Sequence, residues 1–265
     1  MDPRLLILCA LTFVIHLIGT LAYSVRIAGS RTRRIALSLS LFNILVLVSR
    51  TSNSFQAPML AKRVEENIAL GAANTSDFRW LLVAASAATI VGALLIPTFQ
   101  RLFARYVEAF GRHRSVSRVI VRLFSPGAIA VMRGSATVPD WNNIATAARG
   151  PHIPWRVALL NTVGMAIWTV GVFAALYAAY LRPELRVTSS QLSAVVNGVA
   201  TILMFVFIDT YLSMITDDVA DGRVSEAYFR RSIVWLTGSR LVGTVLAQVL
   251  LVPAAFWIVA IAERL

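Results

Sequence analysis

The stretch Ser38-Leu-Ser-Leu-Phe-Asn-Ile-Leu-Val-Leu-Val-Ser-Arg-Thr-Ser-Asn-Ser-Phe-Gln-Ala-Pro58 decides the fold class. It forms most of an apolar run from Ile35 to Gln56, and roughly 20 apolar residues suffice to cross a bilayer as a helix. The run carries one full charge, Arg50. A guanidinium keeps its proton at any relevant pH, so at membrane depth it must find water, an anion or a carboxylate. On insertion scales that placement costs roughly 2.5–3.5 kcal/mol at a helix centre. Five more runs are long enough to span: Leu5–Val25, Trp80–Phe99, Val157–Leu181, Leu192–Thr216 and Ile233–Ala262. The expected fold is an all-α polytopic membrane protein of six transmembrane helices forming one domain, residues 1–265.

Composition agrees. The 265 residues are 57% hydrophobic and only 14% charged, where a soluble domain carries about 25%. Mean hydropathy is +0.71. The net charge of +12 is almost all arginine, since Lys62 is the only lysine. These arginines flank apolar spans, so they point to topology and anionic phospholipids rather than nucleic acid. Cys9 is the only cysteine, which excludes an intrachain disulfide and a cysteine metal cluster. The run after Met1-Asp2-Pro3-Arg4 has no small-residue cleavage site near its end and reads as a retained span.

Arginine asymmetry orients the spans. The connections Arg26–Arg34, Arg101–Arg156 and Asp217–Arg231 hold 16 basic residues, against 7 on the opposite side. The positive-inside rule then places both termini outside. Residues 101–124 of the third connection read as two short basic amphipathic helices around Gly111. Arg101, Arg105 and Arg112 line the first, and Arg114, Arg118 and Arg122 recur along the second. Such a segment lies in the interface with its arginines toward headgroups. Small residues at four-residue spacing (Ala84, Ala88, Gly92; Gly171, Ala175, Ala179; Ser239, Gly243, Ala247) predict close packing of spans within the molecule.

Four polar residues inside apolar runs are candidate site residues: His16, Arg50, Asp209 and Arg240. Asn43, Arg50 and Ser54 share a helical stripe, with Asn53 close by. Snorkelling would explain Arg50 alone, but Asn43 is too short to snorkel, which favours a polar cavity. Counted from the span ends, Asp209 and Arg240 lie equally deep, roughly 10–12 Å in, so opposite charge makes them a candidate ion pair. His16 lies near the midplane, either as a packing residue or as part of a proton relay. Enzyme signatures are weak. His16, His113 and His152 are scattered, no metal-ligand spacing appears, and no cofactor is implied. The acidic turn Asp217, Asp218, Asp221 and Glu226 reads as a solvated helix end.

The run Ser38–Pro58, the stretch Phe207-Ile-Asp-Thr-Tyr-Leu-Ser-Met-Ile-Thr-Asp-Asp218 continuing to Gly238-Ser-Arg-Leu-Val-Gly243, and Leu11–Arg33 with Tyr23-Ser-Val-Arg26 together resemble the Amj family. These are the alternate lipid II flippases of bacteria. The resemblance implies a multi-pass protein of the cytoplasmic membrane, a transporter rather than an enzyme. It would move lipid II, the undecaprenyl-diphosphate-linked disaccharide-pentapeptide, to the outer leaflet. The alternatives are a polyprenyl-diphosphate phosphatase or transferase, and a structural scaffold. Arginine suits a diphosphate because its planar fork donates two hydrogen bonds at once. Arg26, Arg31, Arg33 and Arg34 are expected to capture the head, and Arg240 and Arg50 to receive the diphosphate. Six spans are a small body for so large a head, which leaves room for a homodimer.

With Cys9 replaced, Ser115→Cys should be shielded from an impermeant thiol reagent in intact cells, and Thr188→Cys should be labelled. The opposite pattern would reverse the orientation.

Overall fold

The computed structural model describes residues 2–113, 126–139, 142, 145 and 153–265. Among the described residues every regular element is helical. Helix α1 (Pro3–Thr32) starts at Asp2, whose carboxylate accepts from the Arg4 N–H at 3.1 Å, with Pro3 in the first turn. It stops at Arg33, whose backbone turns into the left-handed region at φ 53°. The Arg33 and Arg34 N–H groups cap the last carbonyls, those of Ser30 and Gly29. Helix α2 (Ile35–Ala69) then runs back along α1, and the Ser38 hydroxyl donates to the Val25 carbonyl at 2.8 Å to close the hairpin.

Helix α3 is Thr75–His113 and α4 is Pro126–Ser135. Helix α5 (Trp155–Leu181) is followed by the short turn Pro183–Leu185 and α6 (Arg186–Leu203). A π-helical turn, Met204–Asp209, joins α6 to α7 (Thr210–Ala220). Helix α8 (Glu226–Ala262) completes the chain. Six helical stretches, α6 through α7 counting as one, are long and apolar enough to cross a membrane. All six expected spans lie inside them. This is a multi-pass membrane protein.

The spans form two groups of three. In the first, α1 packs along both α2 and α3; in the second, α5 packs along both α6 and α8. The groups meet through α3 against α8, and through α1 against α7 and α8. The middle span of each group, α2 and then α6–α7, is the least enclosed. Small residues make the close approaches. Ala88, Ala175 and Ala247 are fully buried. A Cβ on Gly92 would lie 2.7 Å from the Thr20 Cβ, between α1 and α3. A Cβ on Gly243 would lie 2.6 Å from the Thr162 carbonyl oxygen, between α5 and α8.

At the end carrying the termini, Arg63 on α2 pairs with Asp77 on α3 at 2.6 Å and with Asp2 before α1. Asn67 donates to the Tyr180 hydroxyl at 2.8 Å, adding α5. At the other end one expectation is corrected. Helix α3 runs unbroken past Arg101 and Gly111 to His113 instead of starting a separate interfacial helix. Arg105 does not reach for headgroups. Its guanidinium donates to the Gly134 and Val131 carbonyls at 3.0 and 3.2 Å and to the Ser135 hydroxyl at 2.9 Å, capping α4. A cation at a helix C-terminus is favourable there because the last carbonyls are otherwise unbonded. Arg114, Arg118 and Arg122 lie outside the described residues.

Two glycines of α8 separate packing from helix propensity. Gly243→Ala should destabilise the purified protein by about 1–3 kcal/mol, because backbone on α5 cannot yield. Gly238→Ala has open space around it and should be neutral or stabilising by up to about 1 kcal/mol. Thermal unfolding in detergent reads both, and equal effects would contradict the α5–α8 contact.

Candidate functional site

One face of α1 organises the interior. Thr12, His16, Gly19, Tyr23 and Arg26 recur at alternating steps of four and three, so they form one stripe along the helix. That stripe faces the second group of spans.

Nearest the arginine-rich end, Arg26 donates to Asp209 Oδ1 at 3.2 Å and to the Ser213 hydroxyl at 2.9 Å. Asp209 closes the π turn and Ser213 lies one turn further on α7. The Arg26 side chain is 11% exposed and that of Asp209 42%. The expected pairing of Asp209 with Arg240 is therefore corrected: its partner is Arg26. Asp209 lies eleven residues from the end of α7 and Arg240 fourteen from the start of α8, so equal depth does not hold. On α1 the two levels are Arg26 and Gly19, about 10 Å apart.

Arg240 is 5% exposed, at the crossing of α1, α5 and α8. Its guanidinium lies over Gly19, where an added Cβ would be 3.3 Å from Cζ and closer still to Nη2. Nη1 donates to the Met165 sulfur at 3.2 Å, and the Tyr23 hydroxyl lies beside the group. Nε has no partner. Among the described residues no carboxylate is within ion-pairing distance of Arg240. Asn161, also wholly buried, faces Tyr23; its amide nitrogen donates to the Leu236 carbonyl and the Ser239 hydroxyl at 2.9 and 2.7 Å, and its oxygen is unbonded. A buried guanidinium with one sulfur and one phenol for company is short of partners, and burying an unpaired charge is costly.

Toward the end carrying the termini the stripe lines a cavity of about 70 Å³ between α1, α2, α5 and α6. Thr12 accepts from Gln56, and the His16 ring meets Trp168 edge-on at 5.2 Å between centroids. Asn53 and Asn197 also line it. At the opposite end, Arg31, Arg33 and Arg34 are exposed around the α1–α2 turn. Arg33 lines an open depression of about 580 Å³ with Asp217, Asp221 and Arg223. In the acidic turn Arg223 is shared between Asp218 and Asp221 at 2.8 Å each.

The order along α1 is thus an arginine-rich mouth, an ion pair, a buried cation that pairs with no carboxylate among the described residues, and a polar cavity. A family model described as Amj, Alternate to MurJ, matches residues 11–262. The chain belongs to that family. It is 36% identical over 259 residues, 96% of this chain and 94% of the relative, to lipid II flippase Amj of Bacillus subtilis (strain 168). No solved structure matches the chain.

Two more expectations, both drawn from the residues and not from the Amj resemblance, are corrected. Arg26 is not a free capture residue beside Arg31, Arg33 and Arg34, because Asp209 already holds it. Asn43 and Arg50 share the expected stripe, but that stripe lies on the exposed flank of α2, about a third of a turn from its buried face, and does not enter the interior. Only Asn53 reaches the cavity. Sequence reading missed Gly19, Tyr23, Asn161, Thr169 and Asn197. The four-three spacing from Thr12 to Arg26 was the available signal.

Arg26→Gln and Asp209→Asn should show a coupling of about 0.5–1 kcal/mol in a double-mutant unfolding cycle, modest because the pair is half exposed. Asp209→Asn with Arg240→Gln should be closer to additive. A larger coupling in the second cycle would restore the original pairing.

Proposed function

We propose that this protein moves lipid II from the inner to the outer leaflet of the cytoplasmic membrane, with both termini outside. The observation that carries the mechanism is Arg240: a guanidinium buried where two groups of spans meet, over a glycine, with no carboxylate within ion-pairing distance among the described residues. Its partner in transit has the chemistry of a diphosphate, whose oxygens accept from the Nε–H that the protein leaves unbonded and compete with Met165 and Tyr23 for the other donors. The family match and the relative's name support the lipid-linked substrate.

Arg31, Arg33 and Arg34 attract the diphosphate and neighbouring anionic phospholipids at the inner mouth. The Arg26–Asp209 pair lies next on the path. An incoming diphosphate competes with Asp209 for Arg26, and both its charges are then handed to Arg240 about 10 Å further in. Arg50 and Asn43, on the open flank of α2, meet the lipid from the bilayer side. His16 and Asn53 lie beyond Arg240, where the polar head precedes the diphosphate. The prenyl tail needs no enclosure; α2 and α6, in the two least enclosed spans, do not pack closely along one another, which supports lateral access between them.

The test uses cells depleted of their main lipid II flippase and rescued by this gene, with outer-leaflet lipid II measured directly. Arg240→Gln should reduce exposure at least about tenfold, the loss of a charge-assisted hydrogen-bond set worth roughly 1.5–3 kcal/mol. The same variant should keep or raise thermal stability, because the desolvated charge is gone. Arg240→Lys should retain part of the activity, having a charge but no fork. Full transport by Arg240→Gln would sink the mechanism.

A further inference from the structure

The polar side chains that α5 and α8 place near Arg240 bond mainly to helix backbone. Asn161 donates to the Leu236 carbonyl and the Ser239 hydroxyl at 2.9 and 2.7 Å. Thr162 donates to the carbonyls of Ala158 and Ser239 at 3.0 and 3.2 Å, and Ser239 to that of Leu236 at 3.0 Å. What α5 offers the guanidinium is a sulfur: Arg240 Nη1 donates to Met165 Sδ at 3.2 Å.

Two glycines fix that contact. Met165 is 1% exposed, and its Cβ lies so close to α8 that a Cβ on Gly243 would come within 2.7 Å of it. Gly243 follows Arg240 by three residues, on the same side of α8. The close approach at Gly243 therefore brings the thioether to the level of the guanidinium. On the other side Gly19 of α1 leaves room for Nη2.

A thioether is an uncharged, weak acceptor. It is also polarisable and sits on a flexible, unbranched stem, so it can hold a cationic N–H and withdraw from it without moving a helix. A carboxylate at the same place would pair with Arg240 and compete with any incoming anion. A phosphate oxygen is the stronger acceptor because it is charged. We propose that Met165 is a positioning residue for transport: its sulfur keeps the Arg240 guanidinium aimed while no substrate is bound, and gives way to a diphosphate oxygen when one arrives. The strength of the acceptor at position 165 then sets how tightly Arg240 takes the diphosphate. The inference rests on the flippase reading and adds to it the residue that tunes the affinity of the buried cation.

The experiment is titration calorimetry of farnesyl diphosphate on the purified full-length protein in nanodiscs, with thermal unfolding of the same samples. Met165→Gln has a side chain of the same length that ends in a strong acceptor. It should weaken farnesyl diphosphate binding about tenfold, the effect of one hydrogen bond to a charged group. Met165→Leu keeps an apolar group of similar volume and removes the acceptor. It should bind farnesyl diphosphate as tightly as wild type, or up to about tenfold more tightly. In unfolding, Met165→Gln should lower the transition temperature more in the Arg240→Gln background than alone, because the guanidinium is the donor that meets its new oxygen. A sulfur that only packs predicts additive effects on unfolding and weaker binding by both variants. That result, or undiminished binding by Met165→Gln, would overturn the inference and leave the flippase reading intact. If wild type does not bind farnesyl diphosphate, the diphosphate reading of Arg240 fails and this inference with it.

Discussion

Everything inside this bundle is arranged around a positive charge that cannot be given up. A guanidinium taken out of water stays charged, so its neighbours must adapt. Gly19 gives it room, Tyr23 and Met165 give it polarisable contacts, and Asn161 is held beside Tyr23 by α8 backbone. None of them neutralises it. The carboxylate nearest in sequence logic, Asp209, is held by Arg26 one level away. A protein under selection for stability alone has little reason to keep such an arrangement, because a hydrophobic residue of similar volume is often at least as stable. In the proposed mechanism this electrostatic demand at the junction of two helix groups is part of the passage.

Much of the fold was legible because the bilayer is a strict solvent. Twenty apolar residues with no way to satisfy a backbone except as a helix leave few alternatives, and each of the six runs became one. Close packing at Gly92, Ala175 and Gly243 was legible for a similar reason, since small residues are what lets helices approach in lipid. The site was legible only in its ingredients. Arg240, Asp209 and His16 stood out as polar residues in apolar runs, and Arg26 only as part of a basic connection. Their pairing did not, because depth was counted from apolar ends, whereas α8 begins at Glu226, seven residues before its apolar stretch. Tyr23 and Gly19 were invisible by residue type: a tyrosine and a glycine in a span are ordinary, and only the packing of α1 against α8 shows what they serve. Arg50 misled for the opposite reason, since its stripe was real but its direction depends on how loosely α2 is held.

The packing order has a consequence for how the molecule relates to its two surroundings. Each group contains three spans, an odd number, so the second group traverses the membrane in the opposite sense to the first. Yet the order is the same in both: the first span central, the third pressed against it, the middle one loose. What the first group presents to one side, the second presents to the other. The body is therefore two-faced, offering matched construction to both leaflets, with its polar stripe where the two groups join. Two groups running in the same sense would have favoured one surface. A carrier that must receive its cargo on one side and surrender it on the other has use for a helix framework that runs in both senses, even with its arginines gathered at one end.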